Sequence, residues 1–169
     1  MQNPLLGQET LPPFTRIRPE HVEPGVRELL ARGRTRIEAI AALEKPTFAT
    51  VVEPLEELQH QVSRSWSPVS HLNAVVNSDA LRIGYNACLP LLSAYQTDLA
   101  QSEPLYRACH TLLNRTLELI SACPCKNGCP SCVGPTSDRS ERTKEVALEI
   151  LRRLSGNVQS MTGDKVRTA

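Results

Sequence analysis

Apolar residues recur at steps of three and four along most of the chain, and no stretch alternates convincingly at a step of two. This spacing is typical of amphipathic helices and predicts an all-α fold. The first run begins at Pro19, and both Pro19 and Pro24 suit only a helix entrance. We expect Lys45-Pro46 to end it, because the residue before a proline disfavours helical backbone. Its apolar positions are Val22, Val26, Leu29, Leu30, Ile37 and Ile40.

Two further helices are predicted in the first hundred residues. One covers residues 47–66, and the stretch 67–78 that follows has a broken pattern that allows at most one short helix. Ser78 then has the character of an N-cap, with Asp79 in the first turn of the third helix. Pro90 inside that helix is expected to kink it. Its apolar positions are Leu81, Tyr85, Cys88, Leu92, Tyr95 and Leu99.

The remaining helices flank a short cysteine-rich loop. Ser102 starts one of them, and the last follows Asp138 and Glu141, which have the spacing of a capping box. Gly156 is expected at its C′ position, with a disordered tail over 156–169. The predicted architecture is a helical bundle fragment in residues 1–110, a four-cysteine zinc module with flanking helices in 111–155, and the tail.

The composition is that of a globular, helix-rich protein, with 40% hydrophobic and 4% aromatic residues. The net charge of +1 divides into −2 for residues 1–110 (10 Lys/Arg, 12 Asp/Glu) and +3 for residues 111–169 (9 and 6). That excess is too small to indicate nucleic-acid binding by itself. The start has no basic and apolar leader, and no run reaches the ~18 apolar residues of a membrane span. We therefore expect a soluble, cytoplasmic protein whose thiols stay reduced.

The loop at 123–132, CPCKNGCPSC, has the spacing C-x-C-x₃-C-x₂-C. Four thiolates satisfy tetrahedral zinc, and a closed shell of sulfur leaves no position for water, so the predicted role is structural. Gly128 allows the tight turn that such a short loop needs, and Lys126 adds a positive charge beside the anionic centre. The predicted ligands are Cys123, Cys125, Cys129 and Cys132.

Other interpretations of the cysteines stay open but are weaker. Four cysteines also suit an iron–sulfur cluster, although the usual spacings differ. A redox C-x-x-C pair normally follows a strand, which is not predicted here, and a disulfide pair conflicts with reduced thiols. A loop that binds no metal is the last alternative. Cys88 is expected in the core and His71 as a packed or capping residue. Cys109 and His110 are adjacent on a helix, so their side chains diverge and form no dyad.

Several catalytic and nucleotide-binding motifs are missing from the sequence. It contains no H-E-x-x-H, no G-x-x-x-x-G-K-[ST], no G-x-G-x-x-G and no G-x-S-x-G. These absences exclude a zincin active site, a phosphate-binding loop of either kind and a hydrolase nucleophile elbow in the 169 residues. We therefore predict no catalytic residue.

The stretch from Met1 to about Cys109 resembles the oligopeptidase A-like members of the thimet-oligopeptidase family of zinc metallopeptidases. The resembling segments are NPLL, LPPFTRIRPEHVEPGV, PLEELQHQVSRSWSPVSHLNAVVNS and LPLLSAYQTDLAQSEPLYRA. The resemblance implies helices that form one wall of a substrate channel for short peptides. In that family the zinc is held by histidines and a glutamate much further along the chain, so no catalytic residue carries over.

From about Leu112 a second resemblance takes over. The segments LELISACPCKNGCPSCVGP and KEVALEILRRL are similar to the C-terminal end of large DEAD/DEAH-type DNA helicases. That resemblance implies metal ligation by the same four cysteines, without the helicase motors.

Together these features predict a non-catalytic, zinc-binding helical protein. The alternatives are a member of the peptidase family that acts in peptide degradation and a nucleic-acid-binding accessory module, which the lack of interleaved aromatic residues disfavours. Apolar helix faces that lack the rest of a peptidase predict short peptides, a protein partner or a second copy as the binding partner.

Overall fold

The computed structural model describes residues 3–7, 9–134 and 142–163, with side chains described as far as residue 156. These ranges contain helices and loops and no strand, which confirms the all-α prediction. Short 3₁₀ turns at Pro4–Leu6 and Phe14–Arg16 precede the helices, and a π-helical turn spans Phe48–Val52. The α-helices are α1 Pro19–Ala41, α2 Glu53–Val75, α3 Asp79–Ala100, α4 Glu103–Ala122, α5 Pro130–Val133 and α6 Thr143–Gly163.

The contacts divide the chain into two compact units, Met1–Tyr106 and Arg107–Ala169. The division falls inside α4, as does the predicted one after residue 110. The first unit contains α1 to α3 with the N-terminal turns, and the second contains the cysteine loop, α5 and α6.

Helix α1 forms the centre of the first unit. Its apolar stripe is buried as predicted, with the exception of the half-buried Leu29. The helix ends at Ala41, before the predicted end at Lys45-Pro46, and Pro24 lies inside it rather than at its entrance. Pro24 removes one hydrogen bond of an early turn, which the burial of Val22 and Val26 on either side offsets.

Helix α2 continues to Val75, so the prediction of a broken stretch over 67–78 is wrong. Pro68 and Val69 are both buried within it, and this packing overrides the low helix propensity of proline. The helix ends before Asn77, whose backbone has a φ of 44°, in the left-handed region. The predicted N-cap is confirmed next to it, because the Ser78 hydroxyl accepts the N–H of Leu81 at 3.3 Å.

Helices α1 and α3 pack closely because a glycine faces an aromatic ring. A Cβ added at Gly33 would lie 2.6 Å from the Tyr95 hydroxyl oxygen, so only glycine allows this approach. Leu81, Cys88 and Tyr95, which are seven residues apart, are the buried positions of α3. The helix is continuous through Pro90, which is exposed.

The N-terminal segment is held against α1 and α2 by hydrogen bonds. The Asn3 side chain donates to the carbonyl of His21 at 2.8 Å, and the Ser65 hydroxyl donates to the carbonyl of Leu5 at 2.8 Å. Leu5 is buried as a result.

In the second unit, α6 runs through Gly156 to Gly163, so the predicted C′ position at Gly156 is wrong. Its apolar side chains Val146, Ile150 and Leu154 remain about half exposed. Asp138 and Glu141, the predicted capping box, lie outside the described residues. Residues 157–163 of the predicted disordered tail are part of α6, and residues 164–169 lie outside the described residues. Within the described ranges, no helix has both the length and the apolar character to cross a membrane.

Candidate metal centre

The structure brings the four predicted cysteines together at the end of α4. The Sγ–Sγ distances are 3.5 Å for Cys123–Cys125, 3.7 Å for Cys123–Cys129, 3.5 Å for Cys125–Cys132 and 3.7 Å for Cys129–Cys132, and all four sulfurs lie within 4.8 Å of one another. Four sulfurs at ~2.3 Å around one tetrahedral zinc would be about 3.8 Å apart. The thiols are therefore close enough to hold a metal ion, and their spacing fits zinc.

A short helix after the third cysteine orients half of the cluster. Cys129 is the N-cap of α5 and Pro130 is its first residue, a position where the missing N–H of proline costs nothing. The Cys129 thiol accepts the backbone N–H of Cys132, and the Cys129 N–H donates to the Cys132 sulfur at 3.4 Å. This reciprocal pair fixes the two sulfurs 3.7 Å apart.

Gly128 makes the turn into this helix, as predicted. Its φ is 107°, a backbone conformation that residues with a Cβ rarely adopt. A Cβ there would also lie 2.8 Å from Cγ2 of Val133. The local chain path therefore needs glycine at 128 on two independent grounds.

The first turn of α6 attaches to the cysteine loop through Lys144. The Lys144 ammonium donates to the carbonyls of Cys123 at 2.6 Å and Cys125 at 3.1 Å. Its backbone N–H donates to the carbonyl of Asn127 at 3.0 Å. Lys144 could not be identified from sequence, because it lies far along the chain from the cysteines and belongs to no motif. Lys126, the lysine singled out from sequence, has an exposed side chain.

Two thiols of the cluster have pKa values shifted in opposite directions. The pKa of Cys129 is lowered to about 7, because the backbone N–H groups of Cys132 and Ser131 stabilise its thiolate. The pKa of Cys125 is raised to about 12, first by desolvation and then by hydrogen bonds with the Cys132 and Cys123 thiols. Because metals bind thiolates, the lowered pKa makes Cys129 a readier metal ligand than Cys125.

The other interpretations of the cluster find less support. All six cysteines are free, and sulfurs 3.5 Å or more apart are well beyond the ~2.05 Å of a disulfide. No strand precedes the C-x-x-C pair in the described residues, as a thioredoxin-like motif would require. The sulfurs surround a space for a single ion, whereas an iron–sulfur cluster distributes its cysteines over several irons.

The remaining candidate residues have structural roles. Cys88 is fully buried, which raises its pKa to about 11 and keeps the thiol neutral, as expected of a core residue. Burial also raises the pKa of Cys109. The His110 ring contacts the carbonyl of Ser155 at 3.2 Å and the amide of Asn114 at 3.3 Å, so each ring nitrogen has a partner outside the Cys109 thiol. His71 packs against Phe14, with ring centroids 5.5 Å apart.

Fold and site together define an all-α chain with a candidate metal centre at the end of a long helix. The N-terminal domain model of the neurolysin/thimet oligopeptidase family matches residues 26–118, which is more than half of the chain. The chain therefore belongs to this family. The match runs beyond the expected end at about Cys109, through most of α4, and the four cysteines lie outside it.

Similar proteins carry the name oligopeptidase A. The one from Haemophilus influenzae is 46% identical over 114 residues, or 68% of this chain and 17% of that protein. The Escherichia coli protein is 47% identical over 109 residues, or 64% and 16%. A probable cytosolic oligopeptidase A of Arabidopsis thaliana is 35% identical over 106 residues, or 63% and 15%. The aligned part of this chain thus spans about a sixth of the length of these relatives.

Proposed function

We propose that this chain is a non-catalytic, zinc-binding helical protein of the cytoplasm. In this proposal an oligopeptidase A-like N-terminal domain is joined to a structural four-cysteine zinc module of the type found at the C-terminal end of DEAD/DEAH-type DNA helicases. The observation that carries the proposal is the set of four thiols with sulfurs 3.5 to 3.7 Å apart around one point. A shell of four sulfurs has no open position for water or substrate, which is the arrangement of a structural site.

The proposed role of the centre is to hold the end of α4, α5 and the start of α6 together. Zinc bound by the four thiolates would supply folding free energy to this small unit, as it does in small metal modules. The loop around the sulfurs is held in place by the Cys129–Cys132 hydrogen bonds, the turn at Gly128 and the Lys144 ammonium.

Metal analysis of the purified chain, with one matched pair of variants, tests this proposal. We expect about one equivalent of zinc per wild-type chain and per Cys109→Ser variant, because Cys109 lies outside the cluster. Cys125→Ser should lose most of the metal. Less than a tenth of an equivalent in the wild type, or equal retention by Cys125→Ser, would refute the site.

The absence of catalysis has a separate test. The 169 residues contain no H-E-x-x-H, so the chain by itself should not cleave a short fluorogenic peptide above background in the presence of added zinc. The alternative function, peptide degradation as a zinc metallopeptidase, is favoured by the 46% identity to an oligopeptidase A. Turnover that follows the zinc content of the chain would establish this alternative instead.

The proposed partners are proteins or short peptides that cover apolar helix surface. The tip between α2 and α3 supports this, because Val75, Val76 and Ile83 are 63%, 60% and 71% exposed there. Nucleic-acid binding by the α6 region has less support, since Arg142, just before the helix, and Arg153 within it are paired with Glu145 and Glu149. A salt-dependent DNA shift would reverse this ranking.

A further inference from the structure

A groove along one face of α2 has the chemistry of an anion site. It has a volume of about 700 Å³, and no aspartate or glutamate is among the described residues that line it. Residues 60, 63, 64, 67 and 71 follow helical spacing, so they share one face of the helix. The groups that matter here are the side chains of Phe14, His60, Ser63, Arg64, Ser67 and His71.

Arg64 is the permanent charge of this groove. Its Nη2 atom is buried and has no hydrogen-bond partner, and no ion pair joins Arg64 to another described residue. Other arginines of the same unit are paired, for example Arg27 with Glu23 and Arg34 with Asp98. A guanidinium cannot lose its proton, so a buried donor of this kind is stabilised only by an acceptor that comes to it.

The acceptor does not come from a second cavity that Arg64 also lines. That cavity, of about 300 Å³, includes Glu57 in its lining, but the Glu57 carboxylate is hydrogen-bonded to Gln61 at 2.8 Å and the Arg64 Nη2 atom has no partner there. Arg32 lies there as well and is paired with Glu28. The groove, whose described lining has no carboxylate, is therefore a more favourable place for an anionic group than the cavity that contains Glu57.

We propose that Arg64 binds a carboxylate in this groove. The planar guanidinium matches a carboxylate in a two-bond contact, and the Ser63 and Ser67 hydroxyls can donate to the same oxygens. The Phe14 ring, tilted against His71 with centroids 5.5 Å apart, forms a wall for an apolar group next to the carboxylate. A single permanent cation suits this singly charged group better than a phosphate.

The carboxylate could come from the C-terminus of a peptide or from an acidic side chain, and four probes separate these sources. We would titrate the full ¹⁵N-labelled chain with N-acetyl-Gly-Phe, with the same peptide as its C-terminal amide, with N-acetyl-aspartate amide and with inorganic phosphate. Saturable shifts of the Arg64, Ser63 and Ser67 resonances are expected with the free-acid peptide and not with its amide. Equal response to the aspartate probe would assign the site to acidic side chains as well.

Matched variants complete the test. Arg64→Gln should weaken binding of the free-acid peptide at least about tenfold, while Arg36→Gln, an exposed arginine of α1 outside the groove, should leave it unchanged. Arg64→Lys should bind with intermediate affinity and guards against a folding defect in the glutamine variant. Equal shifts from acid and amide, stronger binding of phosphate, or wild-type affinity in Arg64→Gln would overturn the proposal. None of these outcomes depends on the cysteine cluster, so the result is independent of the zinc proposal.

Discussion

Lys144→Met is the substitution that tests most directly how the cysteine loop is held. Methionine keeps the length and apolar character of the lysine stem but removes the ammonium that donates to the carbonyls of Cys123 and Cys125. Those carbonyls belong to the C-x-C half of the cluster. In the described residues this half has no pair of N–H to sulfur hydrogen bonds like the one between Cys129 and Cys132. Zinc binding should therefore weaken in this variant although all four ligands remain.

The magnitude follows from the two hydrogen bonds. A hydrogen bond to a charged group contributes about 1.5–3 kcal/mol, and two bonds from one ammonium are not additive. Because the lysine is only partly buried, we expect a total loss of about 2–3 kcal/mol, which corresponds to a roughly 30- to 150-fold weaker affinity for zinc. This range agrees with the ~10- to 100-fold effects of residues that orient metal ligands.

The assay is a competition titration between the protein and a chromophoric zinc chelator, with Lys126→Met as the matched control. Lys126 is in the same loop and carries the same charge, but its side chain is exposed, so its removal should cost less than about threefold. Wild-type affinity in Lys144→Met, or an equal loss in both variants, would refute the structural role of the ammonium and leave only a general charge effect.

Three further outcomes are expected. Burial raises the pKa of Cys88 from 9.0 to about 11, so the neutral thiol stabilises the fold fully below pH 9, and about 2–3 kcal/mol should be lost as pH rises from 9 to 11. Urea titrations should show this loss in the wild type and not in Cys88→Ala, and an equal decrease of unfolding free energy with pH in both proteins would contradict it. Gly128→Ala should lower zinc affinity at least tenfold, because its φ of 107° and the 2.8 Å contact with Val133 both exclude a Cβ; a competition titration that matches the wild type would show that the turn is not needed. Chelation should increase hydrogen exchange in residues 115–155 and leave 19–100 largely unchanged, because zinc stabilises only the second unit; uniform loosening would contradict two independent units.

Most of the helices could be predicted from sequence because their apolar stripes are buried. The α1 stripe and the Ser78 N-cap depend on spacing and local hydrogen bonds, which are properties of neighbouring residues. The break predicted in α2 was wrong because Pro68 is stabilised in the helix by burial, which no local pattern reports. The end predicted for α6 at Gly156 was wrong for a related reason, since glycine allows a helix to end there but does not force it to.

In the candidate site, too, features that depend on residues close in sequence could be predicted, and features that depend on residues far apart could not. The convergence of the four cysteines and the positive φ of Gly128 could be inferred from a ten-residue motif. Lys144 could not, because it meets the loop only when α6 folds back on it. The unpaired guanidinium of Arg64 was equally hidden, since an arginine on a polar helix face is normally exposed to water or paired with a carboxylate.

The hydrogen bond from Ser65 to the carbonyl of Leu5 also determines an order of events during protein synthesis. The two residues are 60 positions apart, so at 5–20 residues per second the ribosome needs roughly 3–12 s between making one and making the other. The side chain of Leu5 therefore cannot receive its full set of contacts before α2 has been made. Until α2 has been translated, Pro4–Leu6 leaves apolar surface exposed of the kind that chaperones protect from aggregation.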